Sequence, residues 1–246
     1  MHAGILFDQL IWETKPTVTA NRSLIDLSTK PEQYFGQTRP EMERFVPSNA
    51  RRILDVGCGE AAFGSRLKEK LGAEVWGIEL IPAVAEIARS RLDRVRCGDV
   101  MQQLEQIPDH YFDCAIFNDV IEHLVDPYRM LIAMKQKLAP GGVVVCSIPN
   151  IRYFRNLFDI AIRGEFRYQE GGILDKTHLR FFTKKSMIEM FESLGYGIRR
   201  LEGINPTPSW RVRLFDLMTF GYFSDTRYVQ FGIVAEPLPT NAAQAA

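Results

Sequence analysis

The sequence predicts an α/β protein built on a doubly wound, mostly parallel sheet, and three observations carry that expectation. Short apolar runs alternate with helix-patterned segments from Arg51 to Ile148, the signature of stacked βαβ units. The first run ends in Gly57-Cys58-Gly59, directly ahead of a helix, where a parallel sheet presents backbone N–H groups to a ligand. The chain has 246 residues, 46% hydrophobic and 24% charged, enough to bury a full core without disulfides or a structural metal.

The elements follow in order. Thr38-Arg39-Pro40-Glu41 reads as a helix start with Thr38 near the N-cap, and the helix stops at Val46 before Pro47. Arg52 to Val56 is the first strand, followed by a helix with Phe63, Leu67 and Leu71 on one face. Glu74 to Ile78 is a second strand, and Pro82 to Leu92 a helix opened by proline. Val95 to Cys97 and Phe112 to Phe117 are the third and fourth strands. A helix from Tyr128 to Leu138 closes at Pro140-Gly141-Gly142, and Val143 to Ile148 is the fifth strand. The alternation then lapses until a helix at Lys184 to Leu194 and two late strands, Tyr196 to Leu201 and Tyr228 to Ala235. This organisation gives a lid segment at 1–50, a main domain at 51–236 with an inserted cap at about 150–183, and a frayed tail at 237–246.

Composition excludes several classes. Lys+Arg and Asp+Glu both total 30, so no global field recruits nucleic acid or an anionic membrane. No apolar run is long enough for a transmembrane segment, and Met1 to Glu13 lacks the basic region and cleavage site of a secretion signal. The four cysteines stand singly, with no C-x-x-C pair. A cytoplasmic setting is expected, and a homodimer is left open.

The glycine turn could be a tight βα connection with no ligand. Glu79, twenty residues past Gly59 at the end of the next strand, favours a nucleoside, because a carboxylate there accepts both ribose hydroxyls. Ala62 stands where a dinucleotide fingerprint needs its third glycine, and the loop carries two acids, Asp55 and Glu60. Acids repel a pyrophosphate and suit a cationic ligand such as a sulfonium with an amino-acid tail. The run Ile53-Leu-Asp-Val-Gly-Cys-Gly59 resembles the first motif of class I S-adenosylmethionine-dependent methyltransferases of the type 11/12-like kind. Gly98-Asp99-Val100, Phe117-Asn-Asp-Val-Ile-Glu-His-Leu-Val-Asp-Pro127 and Leu138-Ala-Pro-Gly-Gly-Val143 resemble later motifs of the same family. The resemblance implies a Rossmann-like seven-stranded sheet with an antiparallel last strand, and S-adenosyl-L-methionine as cofactor. It implies that Asp55, Gly57 and Gly59 line the methionine side, Glu79 holds the ribose, Asp99 and Val100 hold the adenine, and Asn118 contributes through its backbone.

The acceptor should be chosen by the cap. Between Ile151 and Phe182 seven aromatics stand with six Lys/Arg and four Asp/Glu. Aromatic faces beside arginines suit a glycan or sugar-nucleotide hydroxyl, with Tyr153 and Arg180 as contact candidates, although most of these aromatics are expected to pack the insert onto the sheet. A phenolic or quinone-pathway hydroxyl is the alternative acceptor; a non-catalytic cofactor-binding subunit and an RNA methyltransferase are rivals of other classes. Asp175-Lys-Thr-His-Leu-Arg-Phe-Phe182 is similar to a segment of many bacterial class I methyltransferases. His178 is the first candidate for a general base, with an ordinary pKa near working pH, and His123 is the second. Asp119-x-x-Glu122-His123 with His178 resembles the metal site of small-RNA 2′-O-methyltransferases and of some ubiquinone-pathway O-methyltransferases. Those carry glutamate in place of Asp119, and no metal is expected here. Trp210 to Phe223 reads as a helix that docks on the core, with a dimer contact or a membrane-interface element as alternatives.

Overall fold

The computed structural model describes residues 35–239. The expectations for residues 1–34 of the lid and 240–246 of the tail lie outside the described residues. Seven strands form one sheet: β1 (Arg52–Val56), β2 (Glu74–Glu79), β3 (Arg94–Cys97), β4 (Phe112–Asn118), β5 (Leu138–Pro149), β6 (Tyr196–Pro206) and β7 (Tyr228–Pro237). Their spatial order is β3-β2-β1-β4-β5-β7-β6. The first five pair in parallel, and β7 is antiparallel to both β5 and β6. The chain order reverses direction across the sheet between β1 and β4, which is where open α/β sheets bind ligands, at the carboxyl ends of the strands. Two antiparallel steps make β6 run with the parallel set, so the connection leaving β6 emerges at that same edge.

Among the described residues seven α-helices accompany the strands: α1 (Ala62–Leu71), α2 (Pro82–Arg89), α3 (Val100–Leu104), α4 (Pro127–Lys137), α5 (Phe154–Phe158), α6 (Lys184–Ser193) and α7 (Trp210–Met218). Alternate residues of β1 serve two cores, as strand geometry requires. Ile53 packs with Phe45, Phe63 and Leu67; Leu54 and Val56 pack with Met130, Met187 and Phe191. Parallel strands covered on both faces read as continuous apolar runs, and Cys114 to Phe117 in β4 are all fully buried. Helix ends match their local chemistry. Asp126 caps α4 by accepting from Arg129 N–H, Thr183 and Ser186 form a capping box on α6, and Gly72 stops α1 in the left-handed region.

Several elements differ from expectation. The lid helix is a 3-10 helix, Pro40–Phe45, preceded by Arg39 in the left-handed region rather than capped by Thr38. α3 was not expected, and Asp99 is its N-cap. β5 begins at Leu138 because Phe112 pairs with Leu138 and Cys114 already with Val143, so Pro140-Gly141-Gly142 is an irregularity inside the strand rather than a turn before it. β7 takes in Pro237. The insert holds α5 and a π-helical turn, Asp159–Arg163, and returns to the sheet where Ile151 N–H donates to Phe182 O at 2.9 Å. Of its seven aromatics only Phe182 is buried, while Phe158, Phe166 and Tyr168 are exposed. α7 does not dock as expected, since Val212 is its one buried residue. Among the described residues, no helix is long and apolar enough to cross a membrane.

Candidate functional site

The glycine loop leaves β1 with Gly57 and Gly59 at φ +66° and +56°, a region that glycine enters without strain. Gly57 and Cys58 N–H both donate to Ile78 O of β2, at 2.8 and 3.2 Å. A Cβ on Gly57 would lie 2.7 Å from Val120 Cγ2, and one on Gly59 would lie 2.4 Å from Phe35 O. The lid backbone therefore runs directly over the loop, and Glu60 N–H donates to Phe35 O at 2.9 Å.

Glu79 is 5% exposed at the end of β2. Its Oε2 accepts from Gly59 N–H and its Oε1 from Ile81 N–H, each at 2.9 Å. Burial raises its pKa, opposed by these backbone donors. Each oxygen keeps a second acceptor site for a ribose hydroxyl. Asp55 is set under the loop rather than on its open side. It is 3% exposed, its Oδ2 has no hydrogen-bond partner among the described residues, and burial with the Glu79 charge pushes its pKa up to about 7. Asp99 is exposed, with Oδ1 accepting from Met101 and Gln102 N–H; Val100 is buried behind it. Asn118 ends β4 with its Oδ1 buried and unpartnered among the described residues.

Arg39 was missed by the sequence reading. Its guanidinium forms an ion pair with Asp119 and reaches Ser147 Oγ and Gln230 Oε1, each at 3.1 Å, and Glu41 at 2.7 Å. Ser147 and Gln230 also donate to Asp119 Oδ1, at 2.9 and 2.6 Å. The lid is thus latched to the carboxyl edge at β4 and β5, and both Asp119 carboxylate oxygens are engaged by these partners. A signal for Arg39 was its place in the lid, yet Asp119, Ser147 and Gln230 lie 80 to 191 residues away in sequence.

Glu122, His123 and His178 converge just past β4. Their possible ligand atoms all lie within 4.8 Å of one another; Asp119, engaged by Arg39, is outside the group. Leu179 and Arg180 N–H both donate to Glu122 O, at 2.9 and 3.1 Å, which pins the insert against this turn. Asp175 Oδ1 accepts from Thr177 N–H and Oγ–H, a side-chain turn that presents His178. His178 Nδ1 lies 3.0 Å from Ile173 O, and His123 Nδ1 lies 3.0 Å from Thr177 O. A carbonyl only accepts, so each Nδ1 carries the proton and each lone pair falls on Nε2. His178 Nε2 is 3.9 Å from Glu122 Oε1. Both Glu122 oxygens are buried without a hydrogen-bond partner among the described residues, and burial pushes the carboxyl up to about 8. Such a group can accept a proton, or can hold a divalent cation through two imidazoles whose other nitrogens are fixed by carbonyls.

The Phe181 ring lies 6.3 Å from His178 between centroids, and Phe166 and Tyr168 pack with Phe181 at 5.5 to 6.3 Å. The basic side chains of the insert are mostly engaged. Arg152 pairs with Asp225, Arg163 with Asp159, Arg167 with Glu165 and Lys176 with Glu170, while Arg180 donates to Val125 O at 2.7 Å. Tyr153 is half-buried and stacks edge-on to Phe154.

The edge fits a ligand with ribose hydroxyls, a cationic centre and an amino-acid tail. It offers carboxylates at Glu79 and Asp99 beside a loop whose glycines leave the backbone bare, and no lysine on the loop. Comparison with known proteins agrees. The family described as a methyltransferase domain matches residues 31–201. A ubiquinone biosynthesis O-methyltransferase of Cereibacter sphaeroides is 26% identical over 215 residues, covering 82% of this chain and 83% of the relative. The enzyme of the same name from Aeromonas salmonicida is 28% identical over 166 residues, covering 64% and 68%. An S-adenosylmethionine-dependent methyltransferase of Archaeoglobus fulgidus superposes with a TM-score of 0.58 at 19% identity, covering 83% and 94%. The cyclase SpnF superposes at 0.55 with 20% identity, covering 77% and 76%. At such identities the structures share the fold alone.

Proposed function

From the premise that this chain belongs to the class I S-adenosylmethionine-dependent methyltransferases, we propose that it methylates a phenolic hydroxyl on an aromatic small molecule. The observation that carries this reading is the Glu122–His123–His178 group standing beside the Phe166, Tyr168 and Phe181 rings. The rings offer flat faces to a planar acceptor. The group offers a place for the proton. A phenol, with a pKa near 10, is about 3.5 units above imidazole, whereas an aliphatic hydroxyl lies far closer to water at about 15.7. Neutral histidine is therefore a workable base for a phenol and a poor one for a sugar. The ion pairs that occupy the insert's basic side chains also leave little of the phosphate cradle that a sugar nucleotide needs. The relatives' names point the same way, toward the phenol and quinone alternative rather than the glycan.

Bound S-adenosylmethionine supplies an electrophilic methyl on a sulfonium. For it, Glu79 would receive the ribose hydroxyls, Asp99 and the Val100 N–H the adenine, and the backbone of Gly57, Gly59 and Asn118 the methionine portion. Asp55 would support the loop from beneath, and Arg39 would hold the lid at this edge through its ion pair with Asp119. The chain's remaining tasks are in-line alignment, exclusion of water by the lid, and removal of the hydroxyl proton.

A second reading of the same group is favoured by the two unpartnered Glu122 oxygens facing a pair of histidines. Glu122, His123 and His178 would then hold a divalent cation, which acidifies a coordinated hydroxyl. One experiment tests both. Simple catechols and sugars are offered with labelled cofactor, in excess chelator and with magnesium or manganese. Catechol turnover that falls about a hundredfold in His178→Ala or His123→Ala, with cofactor affinity unchanged, supports the proposal. Turnover abolished by chelator and restored by metal selects the cation. Transfer to sugars and not to phenols refutes the acceptor assignment.

A further inference from the structure

α7 and the turn that follows it expose an apolar face at the acceptor edge. Trp210, Leu214, Leu217 and Met218 fall at i, i+4, i+7 and i+8, the spacing of a single helical stripe, yet they are 66%, 44%, 74% and 63% exposed. Val212, on the opposite side, is the helix's one buried residue. The stripe that should face a core faces outward. Past the helix, Phe220 adopts a left-handed backbone, unfavourable for a bulky residue, and is fully exposed. Tyr222 is 74% exposed beside it. Exposed apolar surface of this kind marks a contact that the described residues do not satisfy.

Charge selects the occupant. Arg211 and Arg213 are exposed and flank the stripe on its two sides. Asp216 is the only acid between Ser209 and Phe223; it is half-buried, with its Oδ1 buried, on the inward side. A twofold contact with a second copy would bring these arginines toward one another. An anionic lipid surface would neutralise them while accepting the apolar side chains, with tryptophan and tyrosine at headgroup depth. We propose that α7 and the turn through Tyr222 form a docking face for an anionic membrane surface, lying in the interface and not spanning it. The loop after the turn is tied to the insert by the Arg152–Asp225 ion pair and by Arg152 over the Phe223 ring. Docking would therefore set the acceptor side of the site toward the lipid.

The test uses the full chain and sedimentation with phosphatidylcholine vesicles, with and without added phosphatidylglycerol. The wild type should sediment with anionic vesicles and much less with neutral ones. Leu217→Asp/Phe220→Asp should weaken that association by about tenfold or more, with melting temperature and cofactor affinity unchanged because both side chains are exposed. Arg211→Glu/Arg213→Glu should remove the preference for anionic lipid. The proposal is overturned if the wild type stays in the supernatant with both vesicles, or if the Leu217→Asp/Phe220→Asp variant sediments like the wild type. It is equally overturned if this variant turns a dimer into a monomer while vesicles bind neither form, or if vesicle binding is lost only on removing residues 1–34.

Discussion

Replacing Glu79 with alanine separates the two tasks of one carboxylate. In the protein alone, Glu79 accepts from Gly59 and Ile81 N–H at 2.9 Å each. Gly59 is buried and Ile81 half-buried, so water can replace the acceptor at Ile81 but not at Gly59. Leaving one buried donor unsatisfied costs about 1–3 kcal/mol, and that is the expected loss in unfolding free energy. Loss of a charged acceptor for two ribose hydroxyls removes about 1.5–3 kcal/mol from cofactor binding. That corresponds to a weakening from about tenfold to about 150-fold. Urea denaturation without cofactor measures the first quantity, and calorimetric titration with S-adenosylmethionine, at a temperature where both proteins are folded, measures the second. If the variant lost stability but bound the cofactor as tightly as the parent, Glu79 would be only a loop fastener and the ribose assignment would fail.

Two further outcomes follow from the same loop. Burial and the Glu79 charge hold Asp55 up to about 7, against 3.8 for the ordinary group. The folded state therefore keeps a proton that the unfolded chain has lost, so stability falls as pH rises from about 4 to 7, by up to about 1.4 kcal/mol per unit. Glu122, held up to about 8 by burial, adds a slope of the same sign. Asp55→Asn should therefore reduce the slope in thermal melts at pH 5 and 7.5 without removing it, and an unchanged slope would place the titration elsewhere. Gly57→Ala should destabilise by about 1–2 kcal/mol from left-handed backbone alone, and further from a Cβ 2.7 Å from Val120 Cγ2. Adding Val120→Ala should recover the steric part but not the backbone part; no recovery in the double variant would rule out that contact.

Much of the molecule was legible in the sequence. The first five strands and the glycine loop rest on patterns that lie within a few residues, and the seven-stranded sheet with an antiparallel last strand came from the family resemblance. The cofactor class followed from the acids around Gly57 and from the resemblance they belong to. What went unread depended on distant partners. Arg39 is an ordinary lid residue until the fold brings Asp119, Ser147 and Gln230 to it. In the sequence, Glu122, His123 and His178 are grouped through a family resemblance alone. Glu122 and His178, 56 positions apart, meet because the insert folds back to donate from Leu179 and Arg180 to Glu122 O. The leaning toward a glycan rested on arginines whose ion pairs could not be seen in the sequence.

The sequence by itself determined which residues share a face and where the chain must turn, because strand alternation, helical spacing and glycine's left-handed freedom are properties of neighbouring residues. Only the tertiary structure decided what each face meets. The stripe of Trp210, Leu214, Leu217 and Met218 has the spacing of a core-facing helix, and the same spacing serves equally for a face turned outward. Burial, charge pairing and the meeting of Glu122 with two histidines depend on groups far along the chain, which no local pattern records.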